Sequence, residues 1–153
     1  MALQIDRSKI MVRCAYHSDW DGAMKLAWDT FARFDAPDYS EEGINNFRNF
    51  VNDDMLRKMF IAGQYQLFVA VYNDKYLGMI SLRERKHISL LFVDGDYHDY
   101  GIGTALVRYV SKYALEEDTA VEIPEGPVNV ARRHEYRPCA GRRPSTLDGE
   151  ASL

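Results

Sequence analysis

Positive charge, long apolar runs and cysteine are all scarce in this chain, and each scarcity removes a class of protein. Lys and Arg number 19 against 23 Asp and Glu, a formal net charge of −4. Nucleic-acid binders ordinarily carry a basic surplus, so no nucleic-acid partner is expected. The longest apolar runs, such as 67–72 and 90–93, are strand-sized and far below the roughly 20 residues that span a bilayer, so no membrane partner is expected. Residues 1–9 lack the apolar stretch of a signal peptide. Cys14 and Cys139 stand alone, with no CxxC pair, and two isolated cysteines do not make a zinc site. No metal is expected. Both cysteines read as free thiols in a reducing compartment, with the cytoplasm as default location.

What is present is the composition of a globular protein: 46% hydrophobic and 27% charged residues. The 153 residues suit a single domain spanning 1–153. Residues 1–9 read as a loose arm. Residues 139–153 read as a divergent, irregular tail, because Arg132, Arg133, Arg137, Arg142 and Arg143 crowd an end poor in aliphatic residues.

Between these ends the pattern is regular. Residues 10–16 alternate as a strand. Ser18 and Asp21 have the spacing of a helix-capping box, followed by Trp20, Met24, Ala27, Trp28 and Phe31 at helical intervals to about Phe34. Pro37 disfavours helical angles at Ala36 and predicts a break. Ser40 caps a second helix bearing Ile44, Phe47, Phe50 and Val51, and a short helical turn follows before Gly63. Residues 65–72 and 76–82 form a hairpin about Asn73-Asp74-Lys75. The run 87–93 is a further strand, apolar enough at its end to be buried on both faces. Helical spacing returns from Gly101 to about Glu116. A last core strand is expected at 119–123 and a short helix at 128–134.

The informative segment joins the strand at 87–93 to the helix that Gly101 opens. The first N–H groups of a helix lack intrahelical acceptors, and the helix dipole adds partial positive charge there. Glycines at 101 and 103 let backbone approach an anion closely. The spelling rejects two well-known phosphate loops. A Gly-Lys-Ser/Thr loop would need lysine after Gly103, where Thr104 stands, and a GxGxxG loop would need glycine where Leu106 stands.

The segment His98-Asp99-Tyr100-Gly101-Ile102-Gly103 resembles motif A of the GNAT acetyltransferases, Gln/Arg-x-x-Gly-x-Gly/Ala. Both glycines match, and His98 departs from the first position. The order of elements over 10–123 is similar to that family as well. The resemblance implies an α/β (α+β) fold with a mixed, mainly antiparallel central sheet flanked by helices, its fourth and fifth strands splayed. It implies acetyl-CoA as co-substrate and an N-acetyltransferase in which a primary amine attacks the thioester directly. Leu91, Phe92 and Val93 would lie along the pantetheine arm. Backbone N–H groups of His98, Asp99, Tyr100, Gly101, Ile102, Gly103 and Thr104 would hold the pyrophosphate.

The catalytic residues are less defined. The family tyrosine that protonates the leaving thiolate falls on Ala131, and Tyr136 is either its substitute or a packing residue. His87, with Ser89 on its face, is a candidate base or a structural strand histidine. Glu84 is a further candidate within the charged turn Arg83-Glu84-Arg85-Lys86. Asp29, Asp35, Asp38, Glu41 and Glu42 flank the first interhelical loop, either to attract a cationic amine or to cap helices. The acceptor is a small-molecule amine or a protein lysine, and an exposed sheet edge is compatible with a homodimer. Two other readings stay open: a catalytically impaired acyl-CoA-binding or regulatory domain, and an interaction module.

Overall fold

The computed structural model describes residues 5–116 and 144–147. Residues 5–9, the described part of the expected loose arm, carry a defined turn. Asp6 accepts from Ser8 N–H at 3.0 Å and Ser8 Oγ at 2.6 Å, capping a 3-10 turn over Arg7–Lys9. Ile10 is then fully buried, and β1 follows at Met11–Cys14.

Helix α1 spans Trp20–Thr30 and buries Trp20, Ala23, Met24, Leu26 and Ala27. The expected Ser18–Asp21 box does not form. A 3-10 turn, His17–Asp19, leads into the helix instead and carries Asp19 inward. There the carboxylate accepts from Arg13 Nη1 at 2.7 Å and Nη2 at 3.2 Å, from Tyr16 N–H at 2.6 Å and from the Tyr76 hydroxyl. Burial raises the Asp19 carboxyl, but these donors outweigh it and hold it below its ordinary range. Tyr76 is pushed up to about 12, first by burial and then by its hydrogen bond to Asp19.

The break expected at Ala36 comes later. A π-turn at Phe31–Asp35 and a 3-10 turn at Ala36–Asp38 extend the helix, with Ala36 helical at φ −55° and ψ −37°; extended angles begin at Tyr39. Pro37 falls in the first turn of the 3-10 segment, where its missing N–H has no bond to lose. Phe31 stacks on Phe47 at 4.2 Å and meets Tyr39 edge-on at 5.1 Å, which holds the segment down. Ser40 caps α2 (Glu41–Val51) through Gly43 N–H, as the sequence predicts. Asp53 caps α3 (Asp54–Ile61).

Strands β2 (Tyr65–Tyr72) and β3 (Lys75–Arg83) form the expected hairpin. Asn73 and Asp74 both take positive φ, 46° and 66°, as a two-residue turn matched to strand twist requires. Glu84 and Arg85 repeat this at the turn into β4 (His87–Val93). The sheet order is β4-β3-β2-β1-β5, with every neighbouring pair antiparallel. Strand β5 is Ser145–Thr146, which pairs with Val12 and Met11, and Leu147 beside it is buried. This part of the expected irregular tail is therefore built into the sheet. The strand at 119–123, the helix at 128–134, the splay beside them, Tyr136 and Cys139 lie outside the described residues. Cys14 is disulfide-bonded, not the free thiol expected.

Two cores sandwich the sheet. On one face α1, α2 and α3 enclose Trp20, Phe60, Tyr65, Val69 and Met79. On the other, α4 (Ile102–Glu116) lays Ile102, Leu106, Val110 and Tyr113 over Phe68, Ile80 and Leu82. Each such aliphatic side chain contributes about 1.5–3 kcal/mol by leaving water, so α4 is anchored along its length. Strand β4 departs from the doubly buried expectation: Leu90 is buried, but Leu91 is 40% exposed. Among the described residues β4 has a single neighbouring strand and lies at the sheet edge. No helix among them is long and apolar enough to cross a membrane.

Candidate functional site

The site lies where β4 leaves the sheet. Ser81 pairs with Leu90 and Leu82 with Ile88, so Ser89 is one residue too many and forms a β-bulge. Beyond it Leu90 and Phe92 face the α1–α3 side and Val93 packs toward α4, as does Ile88 just before the bulge. The bulge is stabilised from below. Tyr65, fully buried, places its hydroxyl 2.6 Å from Ser81 Oγ and also bonds the Ser89 side chain. Burial pushes the Tyr65 hydroxyl up, and in its bond with Ser81 either oxygen can be the donor.

Past Val93 the chain makes a 3-10 turn, Gly95–Tyr100, capped by Asp94, whose carboxylate accepts from Asp96 N–H at 3.0 Å. Gly101 then takes φ +76°, a left-handed angle at which a Cβ is strained, and α4 starts at Ile102. Ala105 N–H reaches Gly101 C=O at 3.1 Å. The amides of Ile102, Gly103 and Thr104 thus precede the first helical bond and form a cluster of outward donors on the positive end of the dipole. A Cβ added to Gly103 would lie 3.7 Å from Val93 Cγ2, so nothing in the protein itself demands glycine there. The amide cluster fits a phosphate group.

His98 behaves differently from a phosphate donor. Its Nε2 donates to Val93 C=O at 2.9 Å, and its ring lies 5.1 Å from Phe34. The imidazole braces the turn against the strand, which leaves the backbone N–H as its contribution toward an anion. Two cations missed by the sequence reading join this turn. Arg33, from the π-turn after α1, pairs with Asp96 at 3.3 Å. Arg7 donates from Nε to Tyr100 C=O at 3.0 Å. Sequence carries no signal for either, since both contacts are tertiary.

His87 lies at the opposite end of β4, about 20 Å along the strand from Val93 at roughly 3.3 Å per residue. Its Nε2 is 3.9 Å from Glu84 Oε2, too long for a hydrogen bond, and both side chains are largely buried. The charged turn is thus less solvated than expected, and it gives His87 an acidic neighbour. The interhelical acids are divided. Asp29 pairs with Lys25 at 2.7 Å, while Asp38, Glu41 and Glu42 are exposed. Glu41 and Glu42 occupy the first turn of α2, as their capping reading predicts. Among the described residues, no three His, Cys, Asp or Glu side chains converge to hold a metal ion.

This architecture matches a known class. Residues 35–132 match the model of the acetyltransferase (GNAT) domain, so the chain belongs to the GNAT acetyltransferase family. Its fold agrees with solved structures of that family. A GCN5-related N-acetyltransferase from Rhodopseudomonas palustris superposes with a TM-score of 0.63 at 22% identity, over 76% of this chain and 72% of that one. The PaiA N-acetyltransferase of Thermoplasma acidophilum, solved in complex with coenzyme A, gives 0.62 at 20% identity, over 71% and 74%. An aminoglycoside acetyltransferase from an uncultured soil metagenomic sample, solved with trehalose, gives 0.59 at 20%, over 80% and 81%. No curated protein matches in sequence.

Proposed function

We propose that this chain, as one domain, is an N-acetyltransferase that moves an acetyl group from acetyl-CoA to a primary amine. The observation that carries the reading is the passage from the bulged strand β4 through Gly101 into α4, with the amides of Ile102, Gly103 and Thr104 ahead of the first helical bond. The coenzyme A complex of the PaiA enzyme supports the donor class, and the aminoglycoside enzyme supports an amine acceptor.

In this reading the backbone amides from His98 to Thr104 hold the pyrophosphate. Strand β4 at Leu91, Phe92 and Val93, at the sheet edge among the described residues, pairs with the amide-bearing arm of the donor. The acceptor nitrogen attacks the thioester carbonyl carbon, a C–N bond forms, the C–S bond breaks, and the thiolate takes up a proton. Holding both reactants in line supplies much of the acceleration. His87, backed by Glu84, is the candidate base for the amine proton, and Tyr136, outside the described residues, is the candidate acid. The acceptor is a small amine or a protein lysine. The cytoplasm is the proposed location, and a homodimer is compatible with the exposed edge.

Calorimetric titration with acetyl-CoA tests the reading, alongside a Gly101→Trp/Gly103→Trp variant. Saturable binding by the wild type, lost in the variant, is expected. Binding with no turnover across a panel of amines would favour the impaired acyl-CoA-binding domain.

A further inference from the structure

We propose that Arg33 and Phe34, just past α1, are positioning residues for the donor. They seat the turn Gly95–Tyr100 against the α1 side, and donor binding in return quiets the segment 31–39. The inference rests on the acetyl-CoA reading above and gives a role in it to two residues that lie outside the motif.

The turn before α4 has little regular structure to fix it from within. Its 3-10 pattern is interrupted at Tyr97, where φ is −127°. Two anchors hold it from opposite faces. Toward α4, the Tyr97 side chain is buried in the same core as Ile102 and Leu106. Toward α1, Phe34 lies against Gly95 and its ring is 5.1 Å from that of His98, while Arg33 pairs with Asp96 at 3.3 Å. Arg33 also lies over the Phe34 ring, 4.8 Å from its centroid, so the two side chains act as one seat. A turn held at one face can pivot, and a turn held at both has a fixed exit. The exit here is Gly101, whose left-handed angle aims the first amides of α4.

The seat has a firm root and an exposed tip. Phe31 stacks on Phe47 at 4.2 Å, and Phe47 meets Phe92 of β4 at 5.7 Å. Arg33, Phe34 and Asp96 are exposed. An exposed ion pair adds little to folding. These contacts are therefore suited to setting how often the turn is seated rather than to holding up the domain. Coupling of this kind is reciprocal: a seated turn strengthens donor binding, and a bound donor strengthens the seat by the same factor.

The test is hydrogen exchange with and without acetyl-CoA, joined to calorimetry. It compares the wild type, Arg33→Gln/Phe34→Ala and the conservative Arg33→Lys/Phe34→Tyr. In the wild type, acetyl-CoA should slow exchange at 94–106 and also at 31–39. Arg33→Gln/Phe34→Ala should bind acetyl-CoA about 5- to 10-fold more weakly. At saturation its 94–106 should still be protected, and its 31–39 should not. The conservative variant should recover both readouts, and one as weak as Arg33→Gln/Phe34→Ala would overturn the proposal. Protection of 31–39 that survives in Arg33→Gln/Phe34→Ala would mean that the donor touches the segment directly, which also overturns it. Unchanged affinity in that variant does the same, as does wild-type protection confined to 94–106. Should the double change fold poorly, Arg33→Gln alone carries the same pattern at about 2- to 5-fold. A wild type that binds no acetyl-CoA brings down the parent reading instead, because calorimetry measures that binding independently of exchange at 31–39.

Discussion

Phe34 and Gly95, 61 positions apart by their numbers, are in contact so close that a Cβ on the glycine would lie 2.5 Å from Phe34 Cε2. The ring belongs to the π-turn that extends α1, and the glycine opens the turn below β4. The same ring lies against His98, and its neighbour Arg33 pairs with Asp96. The end of α1 is thereby seated on the turn that precedes α4. A π-turn at such a seat agrees with the tendency of these irregularities to occur at functional sites.

Gly95→Ala should therefore push the ring of Phe34 aside, and because that ring is 42% exposed and free to swing outward the cost should stay below about 1 kcal/mol, read as a small drop in the unfolding midpoint. Phe34→Ala in the same chain should remove what cost there is, leaving a coupling term in a double-mutant cycle. Additive effects of the two changes would mean that the ring does not rest on the glycine in solution.

The buried pair of Arg13 and Asp19 sets a second expectation, this time in pH. Asp19 is held below its ordinary value of 3.8 by its donors when folded. A group whose folded value is depressed stabilises above its unfolded value and loses that contribution as pH falls through the folded one. The wild type should thus lose stability progressively below about pH 4. Asp19→Asn should be weaker by about 2–3 kcal/mol at neutral pH, because Arg13 is left buried with a poorer partner. The two unfolding curves should converge as pH drops, and parallel curves would show that Asp19 is not the titrating group.

Much of this arrangement is legible in the sequence, and the part that is not has a common cause. Ser40, the Asn73-Asp74 turn, the strand at 87–93 and the glycines opening α4 each announce themselves within a few residues, because caps, turns and periodicity are local. Asp19 reads locally as part of a helix start, yet Arg13 and Tyr76 draw it inward from other strands. Pro37 reads as a break, yet the packing of Phe31 on Phe47 and Tyr39 keeps Ala36 helical. Apolar content at 87–93 suggests burial on both faces, although among the described residues sheet order places the strand at an edge and Leu91 is exposed. The bulge at Ser89 is a register between two strands, so β4 alone cannot reveal it. Arg7 reaches its partner across 93 residues and looks like part of a featureless arm.

Tyr65 joins Ser81 and Ser89 beneath that bulge, so its hydroxyl should matter to catalysis without touching substrate. Tyr65→Phe leaves two serine hydroxyls short of a partner, and a cost of about 1–2 kcal/mol is expected. The bulge then loses its brace, and kcat should fall more than KM for the donor rises. A matching fall in thermal stability with unchanged kcat would confine the network to a structural part.

Gly101 and Gly103 look equivalent in the motif, but the structure separates them. Gly101 has φ +76°, and an alanine there is strained by about 1–2 kcal/mol whatever the space around it. Gly101→Ala should lower the unfolding midpoint and weaken acetyl-CoA binding together, since relief of the strain turns the first amides of α4 away from the anion. Gly103 has no positive φ, and a Cβ there meets only Val93 Cγ2 at 3.7 Å, an ordinary contact. Within a helix, alanine is favoured over glycine by up to about 1 kcal/mol. Gly103→Ala should keep or slightly raise stability and retain binding, in line with a motif that admits alanine at this position. Thermal unfolding with and without acetyl-CoA reads both quantities at once. If Gly101→Ala proves as well tolerated as Gly103→Ala, the left-handed turn does not aim the amides, and the account of the phosphate site given above fails at its first step.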